Sequence, residues 1–246
     1  MQPASFRFYA ELNSFLPPDA RWKVLSYPVN GRVAVKHPVE AWGVPHTEVG
    51  LLLVNGRSVG FSYLLRPGDR ITVYPPFLSL DVDGLQRLRP PLPQPPRFLL
   101  DNHLGRLATY LRLLGFDTRF ERQRDDAALA ELAERDDRVL LTRDRRLLMR
   151  KIVIHGYCLR TRQPEAQLRA VLHRFQLRQY IDPWQRCLRC NGRLQPVDKA
   201  VVWDRLEPLT KIYYDEFHIC QNCQQIYWKG SHYAALEQLV SQVSAS

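Results

Sequence analysis

The chain has 246 residues, 45% of them hydrophobic, and carries a formal charge of +10. That composition is ordinary for a soluble globular protein with a packed core, and the length suits one large domain or two to three small ones. No apolar run approaches the roughly 20 residues that a membrane span needs, and "MQPASFRFYAELNSFLPP" lacks the basic start and continuous apolar stretch of a signal peptide. The expectation is a soluble, cytoplasmic protein with no membrane partner.

The basic excess, 35 Lys and Arg against 25 Asp and Glu, points to a polyanionic partner, nucleic acid first. The bland alternative is arginine written wherever a solvated face needs charge. The stretch from Arg97 to Arg178 holds 17 Arg and one Lys against 11 acids, so it supplies +7 of the total.

Residues 5–77 read as a small β-rich module. "FRFYA" is a short apolar strand, "LLLVNG" a second one ending in a turn at Asn55-Gly56, and "RPGDRITVYPP" a turn leading into a third. A short helix around Val39 to Trp42, ended by Gly43, covers one face. This ordering is that of a β-grasp fold. Residues 78–96 follow as a linker, with five prolines between Pro90 and Pro96; proline neither continues a helix nor pairs in an inner strand, so the segment is extended and semi-rigid.

Residues 97–178 alternate strand and helix. "RFLLD", "FDTRF", "RVLL" and "IVIHGYCL" read as strands. "HLGRLATYLRLLG", "DDAALAELAERDD", "RRLLMRK" and "PEAQLRAVLHRF" read as helices. Strands separated by helices of this length predict a parallel, doubly wound α/β sheet. Residues 180–240 form a further region, where "CLRC" and "CQNC" bracket a Val-, Tyr- and Trp-rich stretch.

Two apolar strands of the central region run into Asp101 and Asp144, and Asp126 sits in the first turn of the helix before the second of them. Ligands of parallel sheets gather beyond the carboxyl ends of the strands. Three acids converging there repel unless a cation neutralises them, and oxygen ligands suit Mg²⁺ or Mn²⁺. Such an ion activates water against a phosphodiester, while Arg143, Arg145 and Arg146 hold the backbone phosphates. The alternative for each acid is a helix cap: Asp125 and Asp126 for one helix, Asp144 for the next. The two CxxC pairs, separated by 29 residues, fit one structural zinc on Cys187, Cys190, Cys220 and Cys223. The fifth cysteine, Cys158, reads as core packing. Ser231 reads as the N-cap of a last helix, and His232 as packing or, beside Tyr227 and Trp228, an RNA-facing residue.

At these residues the sequence resembles a known family. "RFLLDNHLGRLATYLRLLGFDT", "DDAALAELAERDDRVLLTRDRRLL", "CLRCNGRL" and "CQNCQQIYWKGSHY" are similar to the Mut-seven C-terminal RNase family, a branch of the PIN-like nucleases with a terminal zinc ribbon. "FYAELNSFLP", "GVPHTEV" and "VNGRSV…GDRITVYPPF" resemble the ubiquitin-like module fused in front of it. The resemblance implies a multidomain α/β and α+β chain: a β-grasp module, a PIN-like three-layer α/β domain with a parallel sheet, and a zinc ribbon. It implies a catalytic set of Asp101, Asp126 and the Thr-x-Asp of Thr142 and Asp144, binding one or two Mg²⁺ or Mn²⁺ ions. The further acid common after the Thr-x-Asp is missing from "RRLLMRK", which leaves Asp125 as its candidate substitute. The expected function is a metal-dependent ribonuclease acting on RNA. The rival is a non-catalytic RNA-binding protein, or an adaptor that meets a protein partner through the β-grasp module. That module lacks a free Gly-Gly end, so conjugation is not expected.

Overall fold

The computed structural model describes residues 2–78, 84–85, 87–122, 125–230 and 233–245. Ser231, His232 and residues 79–83 and 86 of the linker lie outside the described residues.

The N-terminal region contains β1 (Ala4–Phe8), β2 (Leu25–Tyr27), α1 (Lys36–Ala41), β3 (Leu51–Val54), β4 (Arg57–Ser58) and β5 (Arg70–Tyr74). They form one sheet in the order β2-β1-β5-β3-β4. β1 and β5, first and last in the sequence, pair in parallel at its centre, Phe6 opposite Ile71 and Phe8 opposite Val73. All four of these side chains are buried, because alternation along each strand sends them to one face. That face meets α1: the Trp42 ring lies 5.0 Å from that of Phe6 and 5.8 Å from that of Phe8. The hairpin between β3 and β4 turns on Asn55 and Gly56, both at positive φ, the geometry that lets a two-residue turn follow the twist of its strands. Parallel central strands with an antiparallel hairpin beside them make this a ubiquitin-like β-grasp, as expected.

The central region carries β6 (Phe98–Leu100), α2 (Gly105–Leu113), β7 (Thr118–Phe120), α3 (Asp126–Arg135), β8 (Val139–Thr142), α4 (Arg145–Leu148), β9 (Gly156–Cys158) and α5 (Pro164–Arg174). β6 pairs with β7 in parallel, and β8 with β9 likewise. Phe98, Leu99 and Leu100 are fully buried, as are Val139, Leu140, Leu141 and Thr142. Such continuous burial is the mark of parallel strands covered on both faces. The C-terminal region adds β10 (Leu194–Val197), α6 (Lys199–Val202), α7 (Pro208–Tyr213), β11 (Phe217–Cys220), β12 (Ile226–Tyr227) and α8 (Tyr233–Ala245). β10, β11 and β12 form an antiparallel ribbon over a small core of Val202, Leu206, Phe217, Ile219 and Ile226.

The chain folds as two compact units, one of residues 1–92 with 125–158, the other of residues 93–124 with 159–246. In the first, the segment His46–Glu48 joins the ubiquitin-like module to the strand region that follows α4. His46 Nε2 meets the Val153 carbonyl at 2.8 Å, its Nδ1 meets Glu40 at 2.7 Å, and the Cys158 amide donates to Glu48 at 2.6 Å. Arg89, on the proline-rich linker, donates to the carbonyls of His46, Thr47 and Val49. In the second unit, α2 lies against α5 and the cysteine ribbon. Tyr110 donates to Glu165 at 2.7 Å. Gly115 ends α2 at φ +93°, and a Cβ there would fall 2.2 Å from the Asp182 carbonyl oxygen, so only glycine satisfies both backbone and space.

Candidate functional site

Asp101 follows β6 where the chain leaves the core, and is half-buried. Its carboxylate accepts the next amide, that of Asn102, and its carbonyl accepts the Leu104 amide at 3.0 Å. The turn from strand to helix is therefore wound around this residue.

Asp125 and Asp126 divide the labour at the start of α3. Asp125 is the N-cap, in extended conformation, and its Oδ1 accepts the Ala128 amide at 2.8 Å. Asp126 is the first helical residue, half-buried, and is not needed for capping. An acid at this position still opposes the helix dipole, but that requires no particular orientation of its side chain.

β8 ends at Thr142, which is fully buried. Its Oγ1 accepts the Asp144 amide at 2.9 Å, and Asp144 Oδ1 accepts the Arg146 amide at 2.7 Å. Threonine thus shapes the turn, and the aspartate caps α4. A carboxylate has two oxygens and several lone pairs, so one amide bond leaves Asp144 with acceptor capacity toward solvent, where it is exposed. Leu147 and Leu148, wholly buried, anchor the helix. Asp126 and Asp144 belong to the first unit and Asp101 to the second.

The three arginines differ. All three are exposed, but Arg145 also makes contacts within the protein. Arg145 lies over the Phe15 ring, 5.0 Å from its centroid, and donates to the Phe15 carbonyl at 2.9 Å.

Among the described residues, one group of metal-ligating side chains converges: Cys187, Cys190, Cys220 and Cys223, whose sulfurs all lie within 4.8 Å of one another. Cys187 and Cys223 approach to 3.6 Å, and Cys190 and Cys220 to 3.4 Å. A tetrahedron with Zn–S bonds of about 2.3 Å has edges of about 3.8 Å, so the spacing fits zinc. Amides of the turns point at the sulfurs, Cys190 N to Cys187 Sγ at 3.5 Å and Asn222 N to Cys220 Sγ at 3.4 Å. The Tyr227 hydroxyl lies 3.1 Å from Cys187 Sγ and accepts the Leu188 amide at 3.1 Å. Burial raises the Cys190 and Cys223 thiols, but at Cys187 the Tyr227 hydroxyl and the turn amides outweigh it and bring the group down to about 7. That favours the thiolate a metal requires.

Around these cysteines stand residues that the sequence does not single out. Arg112 on α2 is buried and donates to the carbonyls of Leu188 and Arg189 at 3.0 Å each, and to Thr118 at 2.9 Å. Burial lowers its pKa; the neighbouring Cys187 and Cys190 work in the opposite direction. Asn191, at φ +70°, accepts the Thr118 amide and donates to Asp117, both at 2.9 Å. The knuckle is thereby fastened to α2 and β7. The one hint in the sequence is an asparagine directly after CxxC, where a left-handed residue closes the knuckle.

Residues 96–240 match the family model described as the Mut7-C RNAse domain, and residues 1–81 match the one described as Mut7-C ubiquitin. The first match alone covers more than half of the chain, and the chain belongs to the Mut7-C RNase domain family, with the family's ubiquitin-like module in front. No curated protein and no solved structure gives a significant match.

Proposed function

We propose that the protein is a metal-dependent ribonuclease. Asp101, Asp126 and Asp144 would hold Mg²⁺ or Mn²⁺, and Thr142 would set the turn that presents Asp144. The bound ion would activate water and stabilise charge on the attacked phosphodiester. Arg143 and Arg146, exposed beside Asp144, would hold backbone phosphates of RNA. The four-cysteine cluster would hold one structural zinc, its four sulfurs closing the coordination sphere. None of the five cysteines is in a disulfide, which suits a reducing, cytoplasmic setting.

The observation that carries the catalytic reading, within a family whose model is named for an RNase, is the division at α3. Asp125 does the capping, which leaves Asp126 only the helix dipole to oppose, a role that does not call for a half-buried side chain. The rival reading, a protein that binds RNA without cutting it, draws on Asp144, whose cap bond to Arg146 gives it a purely structural use. A cleavage assay over several RNA classes with Mn²⁺ and with Mg²⁺, run beside Asp126→Asn, separates the two. Metal-dependent cleavage that the substitution abolishes supports the enzyme. Intact RNA in every arm removes it.

A further inference from the structure

The first compact unit holds the whole ubiquitin-like module together with the segment from Asp125 to Cys158. One hydrogen bond and one ring contact between them fall on the turn that carries Asp144. Arg145, the very next residue, uses one guanidinium nitrogen on the Phe15 carbonyl at 2.9 Å and lays its face over the Phe15 ring. Phe15 is itself buried, at 3% exposure, so the anchor is fixed. Gly43, at φ +90°, has its missing Cβ site 3.2 Å from that same carbonyl and 3.8 Å from the Arg145 nitrogen; a side chain there would crowd the bond.

The other end of the short helix is held as well. A Cβ at Gly156 would fall 2.5 Å from a Leu148 methyl and 3.4 Å from the Thr47 methyl, so the glycine lets α4, β9 and the ubiquitin-like module meet at one point. A four-residue helix has almost no stability of its own. Its position must come from such packing.

We infer that the ubiquitin-like module is a built-in brace for the nuclease turn, and that Arg145 is a positioning residue which fixes Asp144 by way of Phe15. This rests on the ribonuclease reading for its catalytic consequence, though not for the brace itself. It differs from a phosphate-binding role in what it asks of Arg145: one guanidinium nitrogen and the contact with the Phe15 ring are engaged within the protein, although the side chain is otherwise exposed.

The test uses the full chain and four forms: wild type, Arg145→Ala, Arg145→Lys and Phe15→Leu. The first readout, hydrogen exchange at the Arg146 amide that Asp144 caps, needs no catalysis. The brace predicts exchange faster by roughly tenfold in Arg145→Ala and in Phe15→Leu, with lysine restoring most of the protection because it still donates to the carbonyl and sits over the ring. The second readout is Mn²⁺-dependent cleavage beside RNA affinity. The brace predicts a kcat lower by about tenfold to a hundredfold with KM, RNA affinity and salt dependence unchanged, since a displacement near 1 Å is enough for that.

Unaltered exchange in both Arg145→Ala and Phe15→Leu overturns the brace. So does a raised KM with a shallower salt dependence in Arg145→Ala alone, which is the mark of a phosphate no longer held. If the wild type cuts no RNA, the ribonuclease reading falls and the exchange comparison still decides the brace.

Discussion

The carboxylate of Glu48 accepts the backbone amide of Cys158 at 2.6 Å across 110 residues of sequence, and Glu48 is only 2% exposed. A buried amide that loses its acceptor costs about 1–3 kcal/mol, and more where the acceptor is charged. Glu48→Ala is therefore expected to lower stability by about 2 kcal/mol, and Glu48→Gln by less, since the amide oxygen still accepts. Urea unfolding is the check; midpoints equal to wild type for Glu48→Ala would remove the claim that this bond joins module and strand.

His155 gives the same unit a pH dependence. Burial, and then the positive charge of Arg89, depress its pKa from 6.5 to about 4, with Asp137 opposing weakly. The unfolded state thus takes up a proton that the folded state refuses. Stability is full above pH 6.5 and falls as pH drops from 6.5 toward 4. At about 1.4 kcal/mol for each unit of separation, a drop to pH 5 should cost on the order of 2 kcal/mol. Urea midpoints at pH 7.5 and pH 5 for wild type and His155→Gln test it: the difference should be smaller in the variant, and an identical pH profile would refute the assignment.

Zinc removal should act beyond the ribbon. Purified protein is expected to carry about one zinc per chain, and Cys220→Ser to lose it along with the fold of residues 187–227. Arg112 and Asn191 tie the knuckle to Thr118, so amides of β7 should lose exchange protection on chelation. Metal analysis and hydrogen exchange provide the check. Protection of residues 118–120 that is indifferent to chelator would mean the fastening is independent of the metal.

Much of this fold is legible in the sequence, because its signals are local. Alternation in "RITVY", the turn at Asn55-Gly56, Gly115 after α2 and Pro164 opening α5 each reflect constraints within a few residues. The CxxC pairs are legible for a related reason: a tetrahedral metal dictates residue type and spacing. What escapes is pairing over long separations. Nothing in "GVPHTEV" announces that His46 meets Val153 or Glu48 meets Cys158, since a buried acid and a surface acid are written alike. Arg145 shows the same limit. "TRDRR" reads as three equivalent cations, yet the fold sends one of them onto Phe15, 130 residues away. At the acids, sequence leaves cap and metal ligand open; the structure assigns the α3 cap to Asp125.

Asp144 offers the sharpest separation of enzyme from binder, because its two candidate roles respond differently to one substitution. Asparagine caps helices about as well as aspartate, so Asp144→Asn should keep the Arg146 amide bond and change stability by less than about 0.5 kcal/mol. If the carboxylate holds a catalytic ion, the same change should abolish cleavage while leaving RNA affinity intact or higher, since a negative charge facing phosphate is gone. Arg143→Ala with Arg146→Ala should do the reverse. Binding should weaken, and its dependence on salt should lessen by about one counterion for each phosphate that the protein no longer neutralises. The two classes of residue thus have opposite signs of effect on affinity. Cleavage and filter binding across a salt series read both. Should Asp144→Asn cut RNA as fast as wild type, the aspartate at the end of β8 is a helix cap and nothing more.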